Sequence, residues 1–192
     1  MDLVAAKRAL RRRIGAMRGA IAPAERRSAG EAIARHILRQ LPPRPGRRFA
    51  LYADLADEMP MRPLFEAIRR VSIPLLPRVE GARLEFLPVR KWSDLRKGAF
   101  GVLEPSAGAR AYRFSRDDAV VLPGVAFDRS GHRLGRGAGF YDRAFGGAQA
   151  GPLLIGAGYA FQLLAHVPHG PFDRRVDVVA TERGMIWPGS RL

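Results

Sequence analysis

The chain has 192 residues, a length that favours one domain whose core needs no disulfide support. It has no cysteine and no 18-residue apolar run, which excludes disulfides, thiolate metal sites and a membrane span. The formal net charge of +15 comes almost entirely from arginine and suits polyanions, although arginine spread over solvated faces is the simpler alternative. The start of the chain lacks the apolar stretch of a secretory signal, so we expect a cytoplasmic protein.

The first half of the chain predicts two long helices and then short strands. Apolar residues recur at helical spacing over residues 2–18, with Asp2 as N-cap, and a second helix is expected from Pro23 to about Gln40. The segments that follow are predicted as a strand (Phe49–Ala53), a helix (Arg62–Arg70), an edge strand (Ile73–Leu76) and a strand (Leu84–Val89). The edge position is expected because Pro74 lies inside that run.

The second half continues the alternation of strands and helices. The predicted elements are a buried strand (Ala119–Leu122), a helix (Phe140–Phe145), a second buried strand (Leu153–Ala157) and two closing strands (Val178–Ala180 and Met185–Trp187). This order indicates an α/β fold with a mainly parallel sheet. Ligands of such sheets bind beyond the carboxyl ends of the strands, where the loop after Leu122 falls.

That loop is the strongest functional signal in the sequence. Four glycines and two arginines fall between Gly131 and Gly139, and Tyr141 and Asp142 close the segment. Glycine lets a backbone approach a ligand closely, and arginine neutralises and grips phosphate. We therefore predict an anion site, although the loop lacks the lysine motif of a P-loop and a plain glycine-rich turn is the alternative. Tyr141 could stack on a heterocycle or serve equally well as a core aromatic.

Other charged residues are candidates with simpler alternatives beside them. Lys7 and Arg11 share a helical face and could clamp a terminal phosphate, or be part of a basic solvated face. Glu58 follows a predicted strand and could bind a heterocycle, although an exposed loop acid is the commoner case. Asp177 could join Asp142 on one Mg²⁺, or be a surface acid paired with a neighbouring arginine.

The histidines and serines suggest no further chemistry. His132, His166 and His169 lack the spacing of metal ligands, so they are interpreted as ordinary loop residues. No Ser/His/Asp set can be identified.

Taken together, the motifs resemble the 5-formyltetrahydrofolate cyclo-ligase family, and the similarity runs nearly from end to end. The matching segments are K-x-x-x-R at Lys7 and Arg11, Asp57-Glu58, Pro77-Arg78, Trp92 with Leu95, the run from Phe100 to Pro105, the signature from Pro123 to Asp142, and the run from Val176 to Glu182. The signature from Pro123 to Asp142 matches without a gap and is the specific one. The register near Asp177 can slip, which keeps Asp173 in reserve as a metal ligand.

The resemblance implies a single domain over residues 1–192, with a three-layer, Rossmann-like α/β fold whose mainly parallel, twisted sheet is flanked by helices. It implies ATP-dependent closure of 5-formyltetrahydrofolate to 5,10-methenyltetrahydrofolate with Mg²⁺ as cofactor and ATP as co-substrate. Phosphorylation of the formyl oxygen would make a leaving group that departs when N10 attacks the same carbon. The folate could be polyglutamylated, and a monomer without membrane or nucleic-acid partners is expected.

The resemblance also implies a role for each matching residue. Arg136, Tyr141 and Glu58 would be catalytic, and Asp142 and Asp177 would hold the metal. ATP would contact Lys7, Arg11, Arg133, Leu134, Gly135, Arg136, Gly137, Ala138, Gly139, Phe140 and Tyr141. The folate would contact Glu58, Arg136, Gly137, Ala138, Gly139 and Phe140.

Two alternatives of other classes remain at this point. A basic nucleic-acid-binding protein would show affinity that falls steeply with salt and needs no nucleotide. A paralogue of the same fold without cyclo-ligase activity would bind another compound or act as a regulator.

Overall fold

The computed structural model describes residues 2–106, 108–146 and 151–189. The helices are α1 (Leu3–Gly19), α2 (Pro23–Gln40), α3 (Arg62–Ile68) and α4 (Phe140–Phe145). The strands are β1 (Phe49–Ala50), β2 (Leu75–Glu80), β3 (Arg83–Pro88), β4 (Arg96–Lys97), β5 (Leu103–Glu104), β6 (Ala119–Pro123), β7 (Ala126–Asp128), β8 (Arg133–Leu134), β9 (Leu153–Ala157), β10 (Leu163–Leu164), β11 (Val178–Thr181) and β12 (Gly184–Ile186).

A seven-stranded sheet in the order β12-β11-β9-β6-β1-β2-β3 forms the centre of the fold. Its inner strands run parallel, while β3 and β12 at the two edges are antiparallel to their neighbours. The order reverses between β1 and β6, because the chain first builds outward to β2 and β3 and then returns to the other side of β1. The prediction of an α/β fold with a mainly parallel sheet is confirmed.

Alternate residues of the sheet strands enter two separate apolar clusters. In β6, for example, Val121 belongs to the cluster that packs against α2 and α3, whereas Val120 belongs to the cluster that contains Phe145 of α4. This is the two-residue period of a strand that is buried on both faces. The helices therefore lie on both sides of the sheet, as expected for a three-layer architecture.

Helix α1 packs at the carboxyl end of the sheet through a third, smaller cluster. Ile14 is 1% exposed and packs with Val125, Leu134 and Val167 around β7 and β8. Asp2 occupies the N-cap position of α1, but its side chain makes no capping hydrogen bond. The docking of Ile14 turns the Lys7 and Arg11 face of α1 toward the loop after β8.

The prediction that the strand around Pro74 lies at a sheet edge is wrong. Strand β2 lies inside the sheet, between β1 and β3, and it begins at Leu75 after the proline. Val89 donates to the carbonyl of Pro74 and Leu51 to that of Leu75, so alternate residues of β2 turn their backbone groups toward β1. The β1 ladder ends at Leu75, and Pro77 within β2 therefore loses no hydrogen bond there.

Most of the other predicted boundaries are close to the observed ones. The second helix and the Phe140–Phe145 helix have the predicted bounds. The first strand is shorter than predicted, because only Phe49 and Ala50 pair, although the chain stays buried as far as Ala53. Among the described helices, none combines the length and the apolar character needed to cross a membrane.

Candidate active site

A cavity of about 610 Å³ lies at the carboxyl ends of the parallel strands, beside the β1–β6 reversal. Its walls include Tyr52, Ala53 and Glu58, which follow β1, and Pro123 and Gly124 at the end of β6. This is the position at which open α/β sheets bind ligands, because the loops after two neighbouring strands separate there. The volume is within the range of small-molecule and cofactor sites.

The cavity has a charged part and an apolar part. The charged part contains Lys7 and Arg11 of α1, Arg133, Asp142 and Asp173. The apolar part lies toward β2, β3 and the β4–β5 hairpin, with Val79, Leu84, Phe100, Val102 and Phe140 in its walls. Such a lining matches a ligand that is anionic at one end and has a flat heterocycle at the other.

The glycine-rich loop forms one side of the charged part. Gly137 and Gly139 have φ of +113° and +67°, a left-handed region that strains any residue with a Cβ. The Nε of Arg11 donates to the carbonyl of Gly135 at 2.9 Å, which ties α1 to the loop. The predicted phosphate contacts Leu134, Gly135, Arg136, Gly137, Ala138 and Gly139 all line the cavity, as do Phe140 and Tyr141.

Ion pairs connect the cations and the acids of the cavity. Lys7 pairs with Asp173, and Arg133 donates to Asp142 at 2.8 Å. Burial alone would raise the pKa of Asp173, but hydrogen bonds from Lys7 and from the Gly170 backbone outweigh it and lower that pKa. Asp142 also accepts a hydrogen bond from the backbone of Arg174 at 3.1 Å. Asp142 and Asp173 thus face cations of the same cavity lining.

Glu58 is a buried carboxylate at the junction of the charged and apolar parts. It is 6% exposed, and Arg136 donates to its Oε1 at 3.2 Å. The backbone of Leu55 donates to Oε2 at 3.1 Å, which fixes the other oxygen. The alternative of an exposed loop acid is therefore wrong, because Glu58 is buried and Arg136 covers it from 78 positions along the chain.

Tyr141 lies against both the cavity and the core. It lines the cavity and packs against the cluster of Phe145 and Leu122, so its core contact is observed and stacking on a heterocycle stays a prediction. Burial, with a smaller contribution from the charge of Glu58, raises the pKa of its hydroxyl. The phenol therefore stays protonated at neutral pH.

The structure does not bring Asp177 to the cavity. Its carboxylate accepts a hydrogen bond from the Leu154 backbone at 2.8 Å, at the amino end of β9 and thus at the opposite end of the sheet from the cavity. Asp173 lines the cavity in its place, and it pairs with Lys7 rather than with a neighbouring arginine. The cavity lining therefore brings Asp142 together with Asp173 and does not include Asp177. Across the described ranges, no group of three or more His, Asp or Glu side chains could hold a metal ion by itself.

His132 is not the ordinary loop residue that the sequence suggested. It is 8% exposed, it contacts the carboxylate of Asp128 through Nδ1 at 3.0 Å, and its ring stacks on His169 with centroids 3.5 Å apart. Asp128 also accepts a hydrogen bond from the backbone of Val167 at 3.0 Å. This cluster anchors the β7–β8 turn that leads into the glycine-rich loop.

The sequence suggested no site role for several other residues that line the cavity. Phe100, Val102 and Glu104 line the cavity, and all three belong to a segment that was recognised only as a matching motif. Phe100 has φ of +56°, and its ring lies 5.8 Å from that of Phe140. The signal that the sequence offered was Phe100 followed by Gly101, at the start of the matching run to Pro105.

Comparisons with known proteins agree with this geometry. The model of the 5-formyltetrahydrofolate cyclo-ligase family matches residues 4–182. The chain is similar to the 5-formyltetrahydrofolate cyclo-ligase of Escherichia coli K12, at 29% identity over 176 residues, which cover 88% of this chain and 96% of that protein. It is 36% identical to the enzyme of the same name from Mycolicibacterium smegmatis over 130 residues, which cover 64% of this chain and 66% of that protein.

A solved structure gives the same result for the whole chain. The structure of Aquifex aeolicus 5,10-methenyltetrahydrofolate synthetase superposes with a TM-score of 0.80 at 31% identity. The match covers 97% of this chain and 94% of that one. The likeness therefore includes both α1 and the glycine-rich loop, the two segments that supply the cations of the cavity.

Proposed function

The chain belongs to the 5-formyltetrahydrofolate cyclo-ligase family, and from this premise we propose that it closes 5-formyltetrahydrofolate to 5,10-methenyltetrahydrofolate with consumption of ATP. The observation that carries the proposal is one cavity whose lining contains both the cations Lys7, Arg11 and Arg133 and the Glu58–Arg136 pair. A triphosphate and a folate would meet there. We also propose that residues 1–192 act as one domain in the cytoplasm, as a monomer.

The phosphoryl transfer needs charge neutralisation and alignment more than covalent chemistry. Lys7, Arg11 and Arg133 would neutralise the triphosphate, and the backbone of Gly135, Gly137 and Gly139 would approach it closely. The formyl oxygen would attack the terminal phosphorus and ADP would leave. N10 would then attack the formyl carbon, and the C–O bond would break as inorganic phosphate departs.

Glu58 and Arg136 would orient the folate for the second step. The carboxylate of Glu58 would accept hydrogen bonds from the folate near N10. Arg136 would stabilise negative charge, first on the phosphorylated formyl oxygen and then on the departing phosphate. Gly137, Ala138, Gly139 and Phe140 would contact the folate. The protonated hydroxyl of Tyr141 would face the reacting centre beside Glu58.

The acids of the cavity fit a magnesium ion. Mg²⁺ usually takes one or two protein carboxylates and completes its shell with phosphate oxygens and water. Asp142 and Asp173 are two such carboxylates in one cavity lining, and they are the residues that would hold the ion. When bound, it would supply positive charge beside the phosphates.

The test is the growth of methenyltetrahydrofolate absorbance after 5-formyltetrahydrofolate, MgATP and protein are mixed. We expect one ADP per product, and near loss of turnover in both Arg136→Ala and Asp142→Asn. Arg129→Ala is the matched control, because Arg129 is an exposed arginine of the nearby β7–β8 turn. Wild-type rates in either site variant would contradict the assignment of the site.

The same assay, together with a titration of nucleic-acid binding, separates the two alternatives. A nucleic-acid-binding protein would form no product and would bind nucleic acid with an affinity that falls steeply with salt. A paralogue without the activity would form no product and bind nucleic acid weakly. Absence of product would overturn the proposal, and the affinity for nucleic acid would then show which alternative holds.

A further inference from the structure

Arg18 is a buried cation in the last turn of α1, outside the lining of the cavity. It is 3% exposed, and its Nη2 pairs with the carboxylate of Asp57. Its Nε is buried and finds no hydrogen-bond partner within the described ranges. Burying a guanidinium costs several kcal/mol unless a counter-charge offsets it, so a merely solvated basic face does not explain this residue.

Asp57 connects Arg18 to the proposed site. One of its oxygens accepts from Arg18, and the other lies 3.9 Å from Nη1 of Arg136. The same nitrogen of Arg136 donates to Glu58 at 3.2 Å. Charges therefore alternate from Arg18 through Asp57 and Arg136 to Glu58. If the charge of Arg18 were removed, Asp57 would be free to compete with Glu58 for Arg136.

A second set of hydrogen bonds joins the backbone of Arg18 to the turn of residues 54–61, which contains Glu58. The side chains of Arg26 and Tyr159 make these bonds. The carbonyl of Arg18 accepts from Arg26 at 2.9 Å, and Arg26 in turn lies 3.5 Å from the hydroxyl of Tyr159. That hydroxyl donates to the carbonyl of Glu58 at 3.2 Å. Burial raises the pKa of Tyr159 to about 12, so the donor proton is retained through the neutral range.

The turn is thereby held on both sides of the Glu58 side chain. Arg18 fixes the side chain of the preceding residue, while Tyr159 fixes the carbonyl of Glu58 itself. Helix α2 closes the far side, since a Cβ on Gly30 would lie 3.0 Å from the Cβ of Pro60. The direction in which the Glu58 carboxylate points therefore depends on the position of the last turn of α1, which carries Arg18.

We infer that Arg18 is a positioning residue, which acts through Asp57 to aim Glu58 and Arg136 at the folate. This inference rests on the proposed function and deepens it, because it names a group outside the cavity that sets folate affinity. Phosphate contacts from Lys7, Arg11 and Arg133 do not pass through Arg18. The effect should therefore fall mainly on the folate, because Arg136 is the one proposed phosphate contact that depends on Arg18.

The first experiment compares Arg18→Met with Arg12→Met, a matched control that replaces an exposed arginine of the same helix. In Arg18→Met we expect the KM for 5-formyltetrahydrofolate to rise about tenfold, the effect of one lost charged hydrogen bond. The KM for ATP should rise much less, because Lys7, Arg11 and Arg133 do not depend on Arg18. Arg12→Met should leave both constants unchanged. Arg18→Lys keeps the charge and should recover part of the folate affinity.

Asp57→Asn provides a second test if Arg18→Met folds poorly, because Asp57 is partly exposed. The single variants and Arg18→Met/Asp57→Asn form a double-mutant cycle. Because the two residues act as one unit, the double variant should be no worse in folate KM than the poorer single variant. Multiplicative losses, equal losses in ATP and folate KM, or an unchanged folate KM would each overturn the inference.

Hydrogen exchange distinguishes a failed inference from a failed function. In the ligand-free protein, Arg18→Met should exchange faster over residues 54–61 while β9 keeps its protection. If the wild type makes no product but this local loosening is seen, the proposed function has failed and the positioning by Arg18 stands. If exchange over 54–61 is unchanged, the positioning has failed whatever the wild type catalyses.

Discussion

Replacing Asp173 by asparagine is the sharpest test of how the acids of the cavity are assigned. The substitution keeps the shape of the side chain and an oxygen that can accept from Gly170, whose backbone donates to Asp173 at 2.7 Å. It removes the negative charge that faces Lys7. Loss of one preorganised charged group beside a transferring phosphoryl group reduces kcat by about 10²–10³. We expect a loss of that size, with a weaker response to Mg²⁺ in the same absorbance assay.

The accompanying loss of stability should be small. The side chains of Lys7 and Asp173 are 17% and 25% exposed, which places their ion pair between a surface pair and a buried one. A free energy of about 1–2 kcal/mol is reasonable for such a pair. For a chain of this length, that corresponds to a fall in Tm of roughly 2–8 °C. Thermal melts would therefore separate loss of activity from loss of the fold.

Asp177→Asn is the matched control for this experiment. It changes an aspartate four positions away whose carboxylate accepts from Leu154 at 2.8 Å at the other end of the sheet. Asparagine keeps that acceptor, so activity and Mg²⁺ response should stay close to wild type. The reasoning is refuted if Asp177→Asn loses turnover and Mg²⁺ response while Asp173→Asn retains both.

Three further substitutions test the backbone, the acid cluster and the core. Gly139→Ala places a Cβ at φ of +67° and should lower the free energy of unfolding by about 1–2 kcal/mol, measured by urea titration. Burial would raise the pKa of Asp128, but hydrogen bonds from Val167 and His132 lower it. Its stabilisation is therefore present above the ordinary value of about 4 and is lost as pH falls through the lowered pKa. Asp128→Asn should cost about 1–3 kcal/mol at pH 7, and melts at decreasing pH should show the gap to wild type closing. Phe127→Ala removes a side chain that is 1% exposed and should cost about 3–5 kcal/mol. Calorimetry should then show a Tm roughly 6–20 °C below that of the wild type.

The helices were predictable because their signals are local. Pro23 at the first turn of α2 and the apolar period of that helix are both present in eighteen consecutive residues. The glycine-rich loop was predictable for the same reason, since its positive φ angles require glycine wherever the loop lies. Such features need no knowledge of what packs against them.

Features that depend on distant partners were misjudged. The residues around Glu58 left an exposed loop acid as the commoner interpretation, because nothing near it in sequence shows that Arg136 reaches it. His132 looked unremarkable because its stacking partner His169 comes from another loop. The internal position of β2 depends on the early end of β1, which no property of Pro74 or Pro77 reveals.

The separation of Asp173 and Asp177 follows from the conformation of the chain between them. Residues four apart share a face only in a helix, whereas an extended chain of four residues can span about 13 Å. The chain between these aspartates is irregular. Asp173 contacts Lys7 at the cavity, whereas Asp177 contacts Leu154 at the amino end of β9. Since parallel strands place their ligand sites at the carboxyl end, an acid immediately before a strand is a poor candidate for that site. Strand direction thus disfavours Asp177, while the contact that brings in Asp173 is a tertiary one, made when α1 packs beside the glycine-rich loop and Lys7 meets the 170–173 turn.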